Sequence, residues 1–204
     1  MNICVMASGW GSNLESIINS QKKGIISSRV ALVISNNSNS NALNIARINQ
    51  IPAVHLSRLR FDSDGEYASE FLNLLKKYNI ELIVLAGYLK LLPQVVVHTY
   101  KNRILNIHPA LLPQFGGKGM YGMFVHEAVI KKGEKFSGAT VHLVDEHYDT
   151  GPIVLQEKVE VSSDDTPETL QKKVLKIEHK ILPEAIKLYE TKTPVITGRE
   201  VKFT

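Results

Sequence analysis

An α/β fold, with a mostly parallel twisted sheet covered by helices on both faces, is what this sequence predicts, and three observations carry it. Short apolar runs at residues 1–7, 29–35, 53–56, 80–86 and 104–107 alternate with segments of helical periodicity, the pattern of strands joined by helical crossovers. The runs are dense in Val, Ile and Leu, as parallel strands buried on both faces must be. Further on the pattern changes. Residues 137–144 and 153–161 read as strands joined only by residues 145–151, too short a link for a helical crossover, so antiparallel strands are expected in the C-terminal part.

Taken in order, the first run ends in Ser8-Gly9-Trp10-Gly11-Ser12-Asn13, after which Leu14, Ile17 and Ile18 recur at helical spacing. This gives a buried strand, a glycine-rich turn and a helix. A second strand, a loop at 36–40 and a short helix at 42–49 follow. Pro52 precedes the third strand, and residues 63–78 form a helix with Tyr67, Phe71, Leu74 and Leu75 on one face. A short helix around 94–100 separates the fourth and fifth strands. Residues 114–122 hold four glycines and are expected to be a mobile loop, with a helix at 123–132 after it. Residues 166–189 read as a long helix with Leu170, Val174, Ile177, Ile181 and Leu188 on one stripe, kinked at Pro183. An edge strand is expected within 195–203. No internal repeat, low-complexity tract or linker interrupts the pattern, so residues 1–204 are expected to form a single domain.

Composition narrows the function. The 204 residues are 44% hydrophobic and 22% charged, as in an ordinary globular protein. Cys4 is the only cysteine and lies within the apolar first strand, so it reads as a buried structural thiol. Residues 1–7 are too short for a signal-peptide core, and no uncharged apolar run approaches a membrane span, so a cytoplasmic protein without membrane association is expected. The formal charge of +4 favours anionic ligands. Lysines and arginines are scattered, and no aromatic-basic signature or zinc-finger spacing is present, so nucleic acid is not an expected partner. The seven histidines show no metal-ligand spacing, so no metal is expected.

Three loops carry candidate chemistry, and all are expected at the carboxyl edge of the sheet, where open α/β sheets collect ligands. At the first, Asn106 and His108 lie two apart at a strand end, so an extended chain points both to one side. Pro109 restricts His108 further. An imidazole that moves protons near neutral pH beside a carboxamide donor suits acyl transfer; a capping asparagine and a packed histidine are the plainer alternative. The second is the turn at 8–13. A dinucleotide fingerprint would need glycine at Leu14, and Asn36 and Asn37 follow the second strand instead of an acid, so a nicotinamide cofactor is not expected. Gly-Ser-Asn opening a helix offers N–H groups to an anion; Ser12 or Asn13 acting as the helix cap is an equal reading. In the third, residues 145–152, Asp149 directly precedes the stiff Thr150-Gly151-Pro152 exit, where a carboxylate can orient or charge His108.

Together, Gly11-Ser12-Asn13, Asn106-Ile107-His108-Pro109 with Leu111-Leu112-Pro113, the stretch from Ser137 to His142, and Asp149-Thr150-Gly151-Pro152 resemble the folate-dependent formyltransferase family, above all its members acting on glycinamide ribonucleotide. The resemblance runs over essentially the whole chain. It implies a Rossmann-like formyltransferase fold and transfer of a formyl group from 10-formyltetrahydrofolate, as co-substrate, to the amine of glycinamide ribonucleotide. By this resemblance Asn106, His108 and Asp149 are catalytic. Gly11, Ser12 and Asn13 hold the ribonucleotide phosphate, and Glu178 the ribose hydroxyls. Tyr88, Leu89, Lys90, Leu91, Leu92 and Val97, with Asn106 and Asp145, contact folate. The implied partners are these small molecules, with a monomer or homodimer as the working form.

Three positions depart from the pattern. Trp10 is bulkier than the polar residue expected there, lying over the phosphate site or filling space. The stretch 116–122 is longer than in some members. Leu175 stands where a polar phosphate contact is expected, leaving Lys172, Lys173 or Lys176 to substitute. Relatives acting on methionyl-tRNA or on water normally carry an extra C-terminal or N-terminal domain, so neither activity is expected of these 204 residues. Another phosphorylated amine as acceptor, a formyltetrahydrofolate deformylase, and a folate- or nucleotide-binding module without turnover are the competing readings.

Overall fold

The computed structural model describes residues 1–204, which group into two compact units, Met1–Asn106 and Ile107–Thr204. The class is α/β, with a mostly parallel sheet and antiparallel strands towards the C-terminus.

In the first unit, β1 (Asn2–Met6), β2 (Arg29–Ser35), β3 (Ala53–His55), β4 (Leu82–Leu85) and the start of β5 (Ile104–His108) pair in parallel in the order β3-β2-β1-β4-β5. Ile3 to Met6, Leu32 to Ile34 and Leu82 to Val84 are almost wholly inaccessible, which is why these strands show continuous apolar runs and no alternation. The connecting helices are α1 (Ser12–Lys22), α2 (Asn41–Ile48), α3 (Asp64–Lys77) and the short α4 (Gln94–Thr99). Ser40 and Ser63 cap α2 and α3 by accepting from Ala42 and Glu66 N–H groups, each satisfying a donor the helix leaves unpaired. Because β1 lies between β2 and β4, the strand order reverses there. The loops leaving β1 and β4 therefore flank the crevice where such sheets bind ligands.

In the second unit, β6 (Phe136–Leu143) pairs antiparallel with β7 (Ile153–Glu160), β7 runs parallel to β9 (Glu200–Phe203), and β9 pairs antiparallel with β8 (Pro194–Thr197). The expected single edge strand is thus a hairpin. Gly198, at φ 60, takes a left-handed turn position that glycine adopts without a Cβ clash. Two helices, α5 (Met123–Lys132) and α6 (Pro167–Thr191), complete the unit. Thr166 and Thr169 form a reciprocal capping box at the start of α6. Leu170, Val174, Ile181, Leu182 and Ile186 bury the stripe that faces β6 and α5. Helical structure runs on through Pro183, which is itself buried. No helix is long and apolar enough to cross a membrane.

Candidate active site

His108 ends β5, two residues after Asn106, with the strand alternation that places both side chains on one side of the chain. His108 is 3% exposed. Its Nε2 lies 2.8 Å from the Phe115 carbonyl, and a carbonyl only accepts, so Nε2 carries a proton and donates it. Nδ1 faces Asp149 Oδ2 at 3.5 Å. Two influences act on the ring in opposition. Burial, helped by the charge of His142, pushes the His108 pKa down, and the Asp149 carboxylate and Phe115 carbonyl push it up. The net direction is below its ordinary value.

Asp149 holds its place through backbone geometry as much as side-chain contact. Its φ of 58 is a left-handed conformation that aspartate tolerates better than most residues. The Gly117 N–H donates to Oδ2 at 2.8 Å. The other oxygen, Oδ1, lies 3.5 Å from His142 Nε2. Burial works to raise the Asp149 pKa, yet the contact with His142, the charges of both histidines and the Gly117 N–H outweigh it. The carboxyl is held below its ordinary range. Next door, Gly151 leaves no room for a side chain, because a Cβ would collide with the Leu143 carbonyl.

Beyond His108, the loop from Pro109 to Pro113 is tied down by a buried polar knot. The Thr140 hydroxyl donates to the Ala110 carbonyl at 2.6 Å and accepts from the Leu112 N–H at 3.2 Å. The Gln156 amide donates to Thr140 Oγ1 and to the Leu112 carbonyl. A fully satisfied knot of this kind rigidifies what it holds, here the chain between His108 and Phe115.

The first unit holds the candidate anion loop at the sheet's switch point. The N-cap of α1 is Gly11, at φ 81, with no side-chain cap bond, which corrects the reading of Ser12 or Asn13 as caps. A Cβ at Gly11 would lie 2.9 Å from Ala42 Cα and 3.0 Å from Ile45 Cδ1, so close packing of α1 on α2 and the left-handed φ both require glycine. Uncapped, the start of α1 keeps its positive end for an anion. Ser40 Oγ donates to the Gly9 carbonyl, Asn41 Nδ2 to the Trp10 carbonyl, and Ser8 Oγ to Asn36. Trp10 is 85% exposed, so its ring fills no core space.

Ser8 also links this loop to the segment after β4, accepting the Leu89 N–H at 2.9 Å while its own N–H donates to the Gly87 carbonyl. In that segment Tyr88, Leu92 and Val97 are buried, whereas Leu89 and Leu91 are about half exposed and Lys90 is exposed. Exposed leucines at a switch-point crevice fit an apolar ligand. Elsewhere, Asp145 accepts from the Thr150 hydroxyl and the His147 N–H, clasping its own loop. Glu178 is the buried carboxylate of α6. Lys173 is engaged with Asp165 and Ser162, while Lys172 and Lys176 are exposed.

Two buried histidines of the second unit escape a reading of the sequence. His142 enters there only as part of a resemblance, although Thr140 and His142 repeat, on β6, the two-residue polar spacing of Asn106 and His108. His126 lies on the buried face of α5, and burial together with the charge of His108 pushes it down to about 4. No group of three or more His, Cys, Asp or Glu side chains is arranged to hold a metal ion.

A profile of the formyl transferase family matches residues 1–186. The chain is 42% identical to the chloroplastic phosphoribosylglycinamide formyltransferase of Arabidopsis thaliana, over 97% of this chain and 71% of that protein. It is 34% identical to phosphoribosylglycinamide formyltransferase of Bacillus subtilis, over 90% of this chain and 91% of the relative. The crystal structure of glycinamide ribonucleotide transformylase 1 from Symbiobacterium toebii superposes with a TM-score of 0.91 at 38% identity, covering 100% of this chain and 93% of that one. With most of the chain matched by the profile and nearly the whole bacterial relative aligned, the chain belongs to the formyl transferase family.

Proposed function

We propose that this protein transfers a formyl group from 10-formyltetrahydrofolate to the primary amine of glycinamide ribonucleotide, giving formylglycinamide ribonucleotide in purine biosynthesis. One observation carries the chemistry: a buried histidine, two residues after an asparagine on β5, held between the Phe115 carbonyl and the Asp149 carboxylate. As the amine adds to the formyl carbon, the formyl oxygen gains negative charge. Asn106 donates to that oxygen. His108 stabilises the same charge and relays protons, and Asp149 sets the protonation of His108 and helps remove the proton the amine loses. The bond from the formyl carbon to folate nitrogen then breaks, and that nitrogen takes up a proton.

Binding follows from the switch-point loops. Gly11, Ser12 and Asn13 receive the ribonucleotide phosphate at the uncapped start of α1, and Glu178 receives the ribose hydroxyls. Tyr88 to Leu92 and Val97 flank the pterin, with Asn106 and Asp145 as polar contacts; the half-exposed Leu89 and Leu91 support this. A cytoplasmic location and a monomer or homodimer accompany the reading, and the single buried cysteine suits a reducing compartment.

The test is a spectrophotometric assay for tetrahydrofolate released from 10-formyltetrahydrofolate, run with glycinamide ribonucleotide and with no acceptor. Acceptor-dependent release is expected. Equal release without acceptor would make the enzyme a deformylase, and no release in either would overturn the reading.

A further inference from the structure

We propose that His142 is a positioning residue for formyl transfer, acting on His108 through the carboxylate that the two rings share; this rests on the reaction proposed above. His142 stands near the end of β6, where the pairing with β7 shifts register between Val141 and His142. Irregularities of this kind re-aim side chains beside active sites. Its Nδ1 lies 2.8 Å from the Leu143 carbonyl. That carbonyl only accepts, so Nδ1 carries a proton, the ring is fixed in orientation, and Nε2 is presented to Asp149 Oδ1 at 3.5 Å.

The two oxygens of Asp149 thus have separate occupations. Oδ2 takes the Gly117 N–H at 2.8 Å and faces His108 Nδ1, while Oδ1 faces His142. The contact from His142 Nε2 to Oδ1 favours the ionised carboxylate and sets its plane so that Oδ2 stays on His108. Positive charge on His142 also opposes charge on His108 directly, since both rings are buried around one carboxylate. His126 on α5 adds a third imidazole whose interaction is with His108. The arrangement extends the base-and-orienter logic by one member: a group that holds the orienter. A histidine serving β6 alone would need only the Leu143 bond.

Two conservative variants separate these roles, because a glutamine amide nitrogen reaches the place of Nε2 and an asparagine amide nitrogen the place of Nδ1. His142→Gln is expected to keep kcat within roughly threefold of the parent enzyme. His142→Asn is expected to lose roughly 10–100-fold in kcat, with both KM values nearly unchanged, the scale at which partners of a reacting side chain act. Equal activities for the two variants, or a more active Asn variant, would overturn the proposal. So would a more than tenfold loss in His142→Gln alone, should His142→Asn fail to fold. The ¹⁵N ring signals of His108, recorded without substrate, give a readout independent of turnover. They are expected to move in His142→Asn and to stay in place in His142→Gln, and an unmoved His108 spectrum in a folded His142→Asn would overturn the coupling. A parent enzyme without formyl transfer would instead overturn the reaction assigned to the site, and the His108 signals alone would then decide the coupling.

Discussion

His108 Nε2 donates to the Phe115 carbonyl at 2.8 Å, so any proton the ring takes up or gives away moves at Nδ1, opposite Asp149. Burial dominates the balance, and the ring is expected to titrate below the ordinary 6.5. Removing the carboxylate removes an influence that raises the value, so Asp149→Asn should move the His108 midpoint further down. Imidazole NMR titration measures both, and an upward move in Asp149→Asn would refute the electrostatic assignment. His108→Ala should bind folate within a few-fold of the parent protein while turnover falls roughly 10²–10⁴-fold; equal loss of both would mark a structural histidine. Asn106→Ala should cost about 10²–10³ in kcat with little change in KM. His108 and Asp149 stand out in the sequence because Pro109 and the stiff Thr150-Gly151-Pro152 exit announce constrained side chains, and Asn106 because it lies two residues before His108 on the same strand. His142 and His126 do not, since one imidazole in an apolar strand or helix face reads as core packing. Only the fold reveals that His142 Nε2 faces Asp149 and that His126 is buried within electrostatic reach of His108.

Elements carry the site through close backbone approaches that sequence periodicity does not report. A Cβ at Gly138 on β6 would collide with the Glu157 carbonyl of β7 and lie 2.6 Å from Leu111 Cδ2. Gly138→Ala should therefore destabilise the fold by about 2–3 kcal/mol, the cost of overpacking against backbone that cannot yield. It should also lower kcat, since Leu111 belongs to the loop between His108 and Phe115. Gly133, at φ 67 after α5, has no atom within 4 Å of the point where a Cβ would stand, so Gly133→Ala should cost only the backbone strain, about 1 kcal/mol. Urea unfolding of the two variants checks the difference, and equal losses would mean that the contact at Gly138 relaxes. The parallel strands are legible as runs of Val, Ile and Leu because burial on both faces forces them. Two features are not. The hairpin of β8 and β9 hides because its strands have four residues each and turn at a glycine that reads equally well as part of one strand. The cap of α1 is misleading because Ser12 and Asn13 are favoured cap residues, whereas packing against Ala42 and Ile45 decides for Gly11.

At the scale of the whole molecule, burying imidazoles makes folding stability depend on pH. His126 is 2% exposed and is pushed down to about 4 from 6.5, first by burial and then by the charge of His108. The unfolded chain takes up this proton near 6.5 and the folded chain only near 4, so between those values the unfolded state binds more protons. Stability is therefore fully present above 6.5 and falls as pH drops through this window, by about 3 kcal/mol from the size of the shift. Asp149 acts at lower pH, because its contribution is present above the ordinary carboxylate value of 3.8 and is lost as the pH falls through its depressed folded value. The two windows are distinct, which allows them to be assigned separately. His126→Leu should flatten the decline in unfolding free energy between pH 6.5 and 4 by up to about 3 kcal/mol, leaving the fall below 3.8 in place. Some slope should survive in the upper window, since His108 is also held below its ordinary value and remains in the variant. The comparison is between slopes, so a uniform change in stability from the substitution itself does not disturb it. Parallel urea-unfolding curves for the two proteins from pH 7 to 4 would show that His126 finds a proton or a partner in the folded state that its burial argues against.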